Sequence, residues 1–318
     1  MDITTKIQTP VVFFGSGPVA AKSLGLLAEN FIIEAVITKP VPKHHKGNFP
    51  VIEVATKLNI PILTVSNKME LDLLFTEQPV SSRLAVLIDF GIIVSQMVID
   101  YFPLGIVNSH FSILPEWRGA DPITFSLLSG QKITGVSLMQ LTAGLDMGSI
   151  IAYGRLPIVS NETNSTLTDK LITLSNELLL KHMPEYIENP HADAQSETSK
   201  LDDVPSFPTY SRKISKSDGS VDWSKPASTT EREIRAFEQW PKSSTKLGSV
   251  DVILIAVSVT DQPVESLEPG TTRITKDTML VACLDTFLEL KTVKPIGKKE
   301  MSTKEFLAGY SSRLQINL

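Results

Sequence analysis

Four largely apolar runs separated by helical patterns occupy the first ninety residues, and they constrain the architecture more than any other feature of the chain. Pro10-Val11-Val12-Phe13-Phe14 ends at Gly15, Phe31 to Thr38 is the second run, Ile60-Pro61-Ile62-Leu63 the third, and Leu84 to Ile88 the fourth. Helical stretches lie between them at Val19 to Ala28, Ile52 to Leu58 and Glu70 to Phe75. A strand apolar on both faces is covered on both faces, so the alternation predicts an α/β fold with a Rossmann-like parallel sheet. Gly105-Ile106-Val107 continues the series, Ile133 to Met139 and Ile150 to Leu156 add two strands, and Thr166 to Ile187 reads as a long amphipathic helix. Ligands of such sheets bind beyond the carboxyl ends of the strands.

The pattern then changes. Asn189 to Pro208 is rich in Pro, Ser, Asp and Glu and has no apolar period, which marks a linker. Past it come a short helix, Thr230 to Phe237, and alternating runs at Val250 to Val257, Thr271 to Ile274, Met279 to Leu284 and Leu288 to Val293. Turn signals between these runs predict a small OB-like β-barrel. A chain of 318 residues exceeds what one core serves, and the boundaries are set at 1–188 for the first domain, 189–206 for the linker and 207–318 for the second.

Composition narrows the partners. Hydrophobic content of 42% and charged content of 20% are ordinary for a soluble protein, and the apolar runs are too short to span a bilayer, so no membrane segment is expected. Met1 to Pro10 lacks both a basic start and a signal-length apolar run, which predicts a cytoplasmic protein. The single cysteine, Cys283, has no partner for an internal disulfide and reads as a buried small hydrophobe. A net charge of −5 opposes indiscriminate nucleic-acid binding. Residues 207–318 nevertheless carry 16 Lys and Arg against 14 Asp and Glu, a balance of +2 that leaves −7 on residues 1–206. A polyanion would be received mainly by the C-terminal part.

The chemistry concentrates in Asn108-Ser109-His110-Phe111-Ser112-Ile113-Leu114-Pro115, followed by Glu116-Trp117-Arg118-Gly119. Pro115 rules out a continuous helix, and a period-2 strand sends Asn108 and His110 toward the same side. An amide that donates beside an imidazole that exchanges protons suits a carbonyl centre that becomes tetrahedral and anionic. A carboxylate 36 positions after the histidine, Asp146 within Gly144-Leu145-Asp146-Met147-Gly148, would fix the imidazole tautomer and stabilise its protonated form.

The wording N-x-H-x-S-[LI]-L-P-x-x-R-G, with the later G-x-D-x-G, resembles the formyltransferases that use 10-formyltetrahydrofolate as formyl donor. The resemblance implies that Asn108, His110 and Asp146 are catalytic and that the reaction needs no metal. It also places the folate co-substrate against Phe90, Gly91, Ile92 and Val94, against Ser112, Ile113, Leu114 and Pro115, and against Leu141, Thr142, Ala143 and Gly144. Ile88-Asp89-Phe90-Gly91 departs from the small-aromatic-glycine wording usual in the family. Tyr210 to Ile214, Asp222-Trp223-Ser224 and Ile234-Arg235-Ala236-Phe237-Glu238-Gln239-Trp240-Pro241 are more similar to members that act on charged initiator tRNA than to amino-sugar formyltransferases. That likeness implies initiator Met-tRNA as acceptor, with Lys43, His44, His45, Lys46 and Arg118 touching the tRNA, in a protein that works as a monomer. A formyltransferase for a nucleotide-linked amino sugar and a non-catalytic tRNA- or folate-binding relic are the rival readings.

Gly15-Ser16-Gly17-Pro18-Val19-Ala20 satisfies a dinucleotide fingerprint, but the second strand ends in Ile37-Thr38-Lys39-Pro40 without the ribose-binding acid that such a site requires. Lys39 would have to serve a 2′-phosphate instead. The glycines are therefore read as packing a helix closely on a strand. His44 and His45 are adjacent, poorly placed to share a metal, and have no Cys or acidic neighbour, so no metal site is read there.

Overall fold

A computed structural model describes residues 7–42, 49–77, 79–190 and 207–314. Its contacts divide the chain into two units, one formed by residues up to Pro122 with 133–157 and 168–211, the other by 123–132, 158–167 and 212 onward.

In the first unit, β1 (Ile7–Phe14), β2 (Phe31–Thr38), β3 (Ile62–Thr64), β4 (Leu84–Leu87) and β5 (Ile106–His110) lie parallel in the order β3-β2-β1-β4-β5. Helices α1 (Pro18–Asn30), α2 (Pro50–Lys57), α3 (Lys68–Glu77) and α4 (Gln96–Asp100) fall between them, as the alternation requires. Val11 to Phe14 are fully buried, and the Phe14 ring meets Phe90 edge-on at 5.3 Å and stacks with Phe75 at 6.1 Å. Burial of such a side chain contributes about 1.5–3 kcal/mol, which is why the strand tolerates no polar position here.

The sheet ends differently from a wholly parallel one. The short β6 (Arg118–Gly119) is followed by α5 (Pro122–Ser129), and β7 (Ile133–Gln140) and β8 (Ile150–Pro157) then close the order as β5-β7-β8, both antiparallel. A nine-residue return between β7 and β8 has no room for the crossover helix that a parallel pairing needs. Helix α6 (Asn164–Glu188) carries Pro184 inside its last turns. β9 (Tyr210–Ser211) pairs parallel with β6, matching Arg118 to Tyr210 and Gly119 to Ser211.

In the second unit, β10 (Ser243–Leu247), β11 (Val250–Pro263), β12 (Thr272–Ile274), β13 (Met279–Ala282), β14 (Thr286–Pro295) and β15 (Met301–Ser302) form one antiparallel sheet. Its order is β10-β11-β14-β13-β12, with β15 on β14, and no ladder among the described residues joins β10 to β12. Val252, Leu254, Val281, Leu288, Leu290 and Phe306 fill its core together with Cys283, which is 1% exposed. The unit also gathers the helix Ala227–Ala236, whose Arg232 Nε donates to the Leu128 carbonyl at 3.3 Å and whose Arg235 Nη1 donates to the Glu162 carbonyl at 2.6 Å.

Candidate active site

Alternation on β5 does what its sequence implies. Asn108 and His110 are each 7% exposed at the carboxyl end of the strand, and both reach Asp146. Asn108 Nδ2 donates to Asp146 Oδ1 at 3.4 Å, and His110 Nδ1 stands 3.8 Å from Asp146 Oδ2. Asp146 lies in the return between β7 and β8 with φ of +48°, so it is a turn residue and a member of the cluster at once. Its Oδ2 also accepts the Gly119 amide at 2.7 Å.

The far side of the imidazole is equally fixed. His110 Nε2 is 3.0 Å from the Trp117 carbonyl, and a carbonyl oxygen only accepts, so Nε2 carries hydrogen. In the neutral ring the lone pair is then on Nδ1, the atom that faces Asp146. Burial lowers the His110 pKa below the usual histidine value, while the Asp146 carboxylate and the Trp117 carbonyl pull it back up. Burial thus favours the neutral ring, with the Asp146 carboxylate beside it.

The turn Ser112 to Pro115 is tied to its own surroundings. Ser137 Oγ, on β7 opposite His110, donates to the Ser112 carbonyl at 2.7 Å and accepts the Leu114 amide at 2.9 Å. Tyr153 Oη donates to the Leu114 carbonyl at 3.0 Å, and the Glu116 amide to that of Ile113 at 3.0 Å. Most main-chain groups of Ser112, Ile113 and Leu114 are thus occupied within the protein, and what they present is shape. Phe90 is in the core of the first unit, with Ile92, Val94 and Leu141 packed half-buried against the same cluster. Gly91 has φ of +65°, and its carbonyl accepts Lys39 Nζ at 2.9 Å. Lys39 is thus turned toward this segment. Thr142, Ala143 and Gly144 follow in the loop that carries Asp146, where Leu145 and Met147 are exposed on either side of the carboxylate.

Among the glycines, Gly15 is close-packed: a Cβ there would stand 2.6 Å from Ala20 and 2.9 Å from the Ile88 carbonyl. Arg118 lies on β6 with its Nε buried and without a hydrogen-bond partner, while Lys43, His44, His45 and Lys46 fall outside the described residues. Sequence reasoning gave no role to Trp117 and Gly119, because they act through main-chain atoms. The only signals were their places beside the motif and, for Gly119, a residue type suited to its φ of +106°. A cavity of about 400 Å³ lined by Gln8, Pro10, Arg83 and Ile187 contains none of these side chains. Among the described residues no helix is long and apolar enough to cross a membrane, and no group of three His, Cys, Asp or Glu is placed to hold a metal.

The model of the formyl transferase domain matches residues 21–183, more than half of the chain, and that of the formyl transferase C-terminal domain matches 213–311. The chain belongs to the formyl transferase family. Within it, a methionyl-tRNA formyltransferase of Nitrosococcus oceani is 32% identical over 309 residues, covering 95% of this chain and 94% of that one. One of Hahella chejuensis is 31% identical over 312 residues and covers 96% of each. Among solved structures, the N-formyltransferase of Helicobacter canadensis, in complex with folinic acid and dTDP-3-aminofucose, has a TM-score of 0.64 at 17% identity, covering 93% of this chain and 100% of that one. HypX of Aquifex aeolicus in complex with tetrahydrofolic acid has a TM-score of 0.61 at 13% identity, covering 96% of this chain and 48% of that one. These two likenesses bear out the fold, whose parallel sheet the strand and helix pattern predicts.

Proposed function

We propose that this formyl transferase moves the formyl group of 10-formyltetrahydrofolate to the α-amine of methionine esterified to initiator tRNA, in support of translation initiation in the cytoplasm. The meeting of Asn108, His110 and Asp146 on one carboxylate carries the chemistry. Likeness along nearly the full chain to methionyl-tRNA formyltransferases supports the acceptor. The site suits the donor: a flat pterin needs apolar walls beside main-chain donors and acceptors, and half-buried Ile92, Val94 and Leu141 provide such walls.

The folate supplies the formyl carbon, and the amine nitrogen of the acceptor bonds to it as the bond to the folate nitrogen breaks. Nδ1 of neutral His110 takes the amine proton, and Asp146 holds the resulting imidazolium in place. One amide hydrogen of Asn108 is directed to Asp146, and the other is left to donate where negative charge builds on the formyl oxygen. The imidazolium then returns its proton to the departing nitrogen, so the protein ends as it began.

Residues 207–318 supply the surplus positive charge that receives the tRNA, with Lys43, His44, His45, Lys46 and Arg118 as additional contacts, and the working unit is a monomer. An assay of the purified protein with 10-formyltetrahydrofolate and either charged initiator tRNA or a nucleotide-linked amino sugar tests the reading. Formylmethionyl-tRNA is the expected product, with turnover at least about a hundredfold lower in Asn108→Ala and in His110→Ala. Formylation of the sugar alone, or near-normal turnover by His110→Ala, refutes it.

A further inference from the structure

We propose that Asp89 reads the acceptor at the mouth of the site: its carboxylate receives the incoming amino group as a cation and denies the glycine turn before α1 to phosphate. The inference rests on the formyl-transfer reading of Asn108, His110 and Asp146. Leu87, the last residue of β4, is paired with Asn108 of β5, and Asp89 follows two residues later at the same carboxyl edge of the sheet. Its backbone is left-handed, with φ of +50°, and its carbonyl accepts the Ser16 amide at 2.9 Å.

That conformation puts the carboxylate on the glycine turn. A Cβ on Gly17 would stand 2.1 Å from Asp89 Oδ2, so a larger residue there would push the carboxylate off the turn. Gly17 is the N-cap of α1, has no side-chain cap, and leads into a first turn that starts with Pro18 and holds no acidic residue. A strand, a glycine turn and a helix N-terminus ordinarily make a seat for phosphate. Here the chain's own carboxylate lies over it, and it accepts no hydrogen bond from any described residue.

The surrounding charge favours a cation. Asp89 is exposed at the surface, yet crowding of its carboxyl by neighbouring groups pushes it up to about 6, Asp121 pushes in the same direction, and Lys39 opposes both. The Lys39 ammonium is bonded to the Gly91 carbonyl, so it is a shared counter-ion at best. Asp121 follows two residues after Gly119, whose amide holds Asp146, and this links the pair of acids to the catalytic cluster. An amino acid esterified at its carboxyl keeps a free α-amine, a group with an ordinary pKa of about 7.7 that is mostly protonated about a unit below it. Such an ammonium finds two carboxylates at this mouth. A phosphate group finds the same two as repulsion. Asp89 stands where the family's wording has a small residue, so this discrimination belongs to the present chain.

The test uses the full-length protein and its Asp89→Asn variant, in which asparagine keeps the shape and tolerates the positive φ. The variant is expected to raise KM for charged tRNA about tenfold, more than it lowers kcat, to leave KM for the folate unchanged, and to lose the inflection near pH 6 in kcat/KM for the acceptor. Inorganic phosphate should compete with the acceptor in the variant and not in the wild type. An unchanged KM for charged tRNA, or equal competition by phosphate in both proteins, overturns the proposal. Phosphate binding followed by ³¹P line broadening requires no acceptor. A wild type inactive on charged tRNA would therefore strike the formyl-transfer reading alone, and phosphate broadening only with Asp89→Asn would still support the role of the carboxylate.

Discussion

Asp146→Asn tests the division of labour in the site most directly. The carboxylate faces His110 Nδ1 at 3.8 Å, and the two side chains are only 11% and 7% exposed. Coulomb's law at that separation with an effective dielectric of about 20 gives about 4 kcal/mol of attraction once the ring is protonated. At about 1.4 kcal/mol per factor of ten, losing the charge costs about a thousandfold in rate if His110 takes the proton in the transition state. The amide adds a second penalty. Oδ1 accepts from Asn108 and Oδ2 from Gly119, so either orientation of the new side chain turns its NH₂ toward a donor. Folding should survive, because asparagine tolerates φ of +48° and a hydrogen bond to a charged group is worth about 1.5–3 kcal/mol. Single-turnover formyl transfer measured across pH 5–8 is the assay. Catalysis needs the neutral ring, whose pKa burial already lowers, so the wild-type rate holds at neutral pH and falls in acid; removing Asp146, which opposes that lowering, moves the fall to still lower pH. A variant within tenfold of wild type throughout, with an unmoved acid limb, would refute the counter-ion role.

Three further outcomes follow from other parts of the molecule. Gly119→Ala puts a Cβ 2.6 Å from the Ser211 carbonyl at φ of +106°, and should cost about 1–3 kcal/mol of stability and lower kcat, as read by thermal unfolding and turnover; no change in either would show that the amide does not position Asp146. Affinity for tRNA should fall about a hundredfold between roughly 50 and 200 mM salt if about four phosphates are contacted, while folate affinity changes little; parallel titrations check this, and equal salt dependence counts against the electrostatic account. Burial raises the Cys283 thiol to about 11, so iodoacetamide at pH 8 should label it only after denaturation, and rapid labelling of the native protein would contradict its place in the core.

What was legible in the sequence follows the range of the forces involved. β2 spans Phe31–Thr38 as read, and α6 runs only two residues before Thr166 and one past Ile187, because apolar burial prints its period directly on the chain. Asn108 and His110 share a face for the same reason. The antiparallel return of β7 and β8 was not legible, since pairing direction depends on connection geometry and not on side-chain pattern. Ser243–Leu247 pairs with Val250 to Leu254 although its polar wording carries little strand signal, and Thr303–Tyr310 went unread as a helix despite the Ser302 and Glu305 capping box. Trp117 and Gly119 serve the site through a carbonyl and an amide, groups that every residue possesses.

The pairing of β6 with β9 bears on where the chain can be cut. Tyr210 and Ser211 come after the linker, yet they flank Arg118 and Gly119, and the Trp117 amide donates to Thr209 Oγ1 at 2.9 Å. A fragment that stops at residue 206 keeps Asn108, His110 and Asp146 but discards the strand that steadies the amide under Asp146 and the carbonyl against His110. The three clustered side chains would be present and poorly aimed. The smallest piece able to hold their geometry therefore extends to Ser211, five residues past the 189–206 boundary set for the linker.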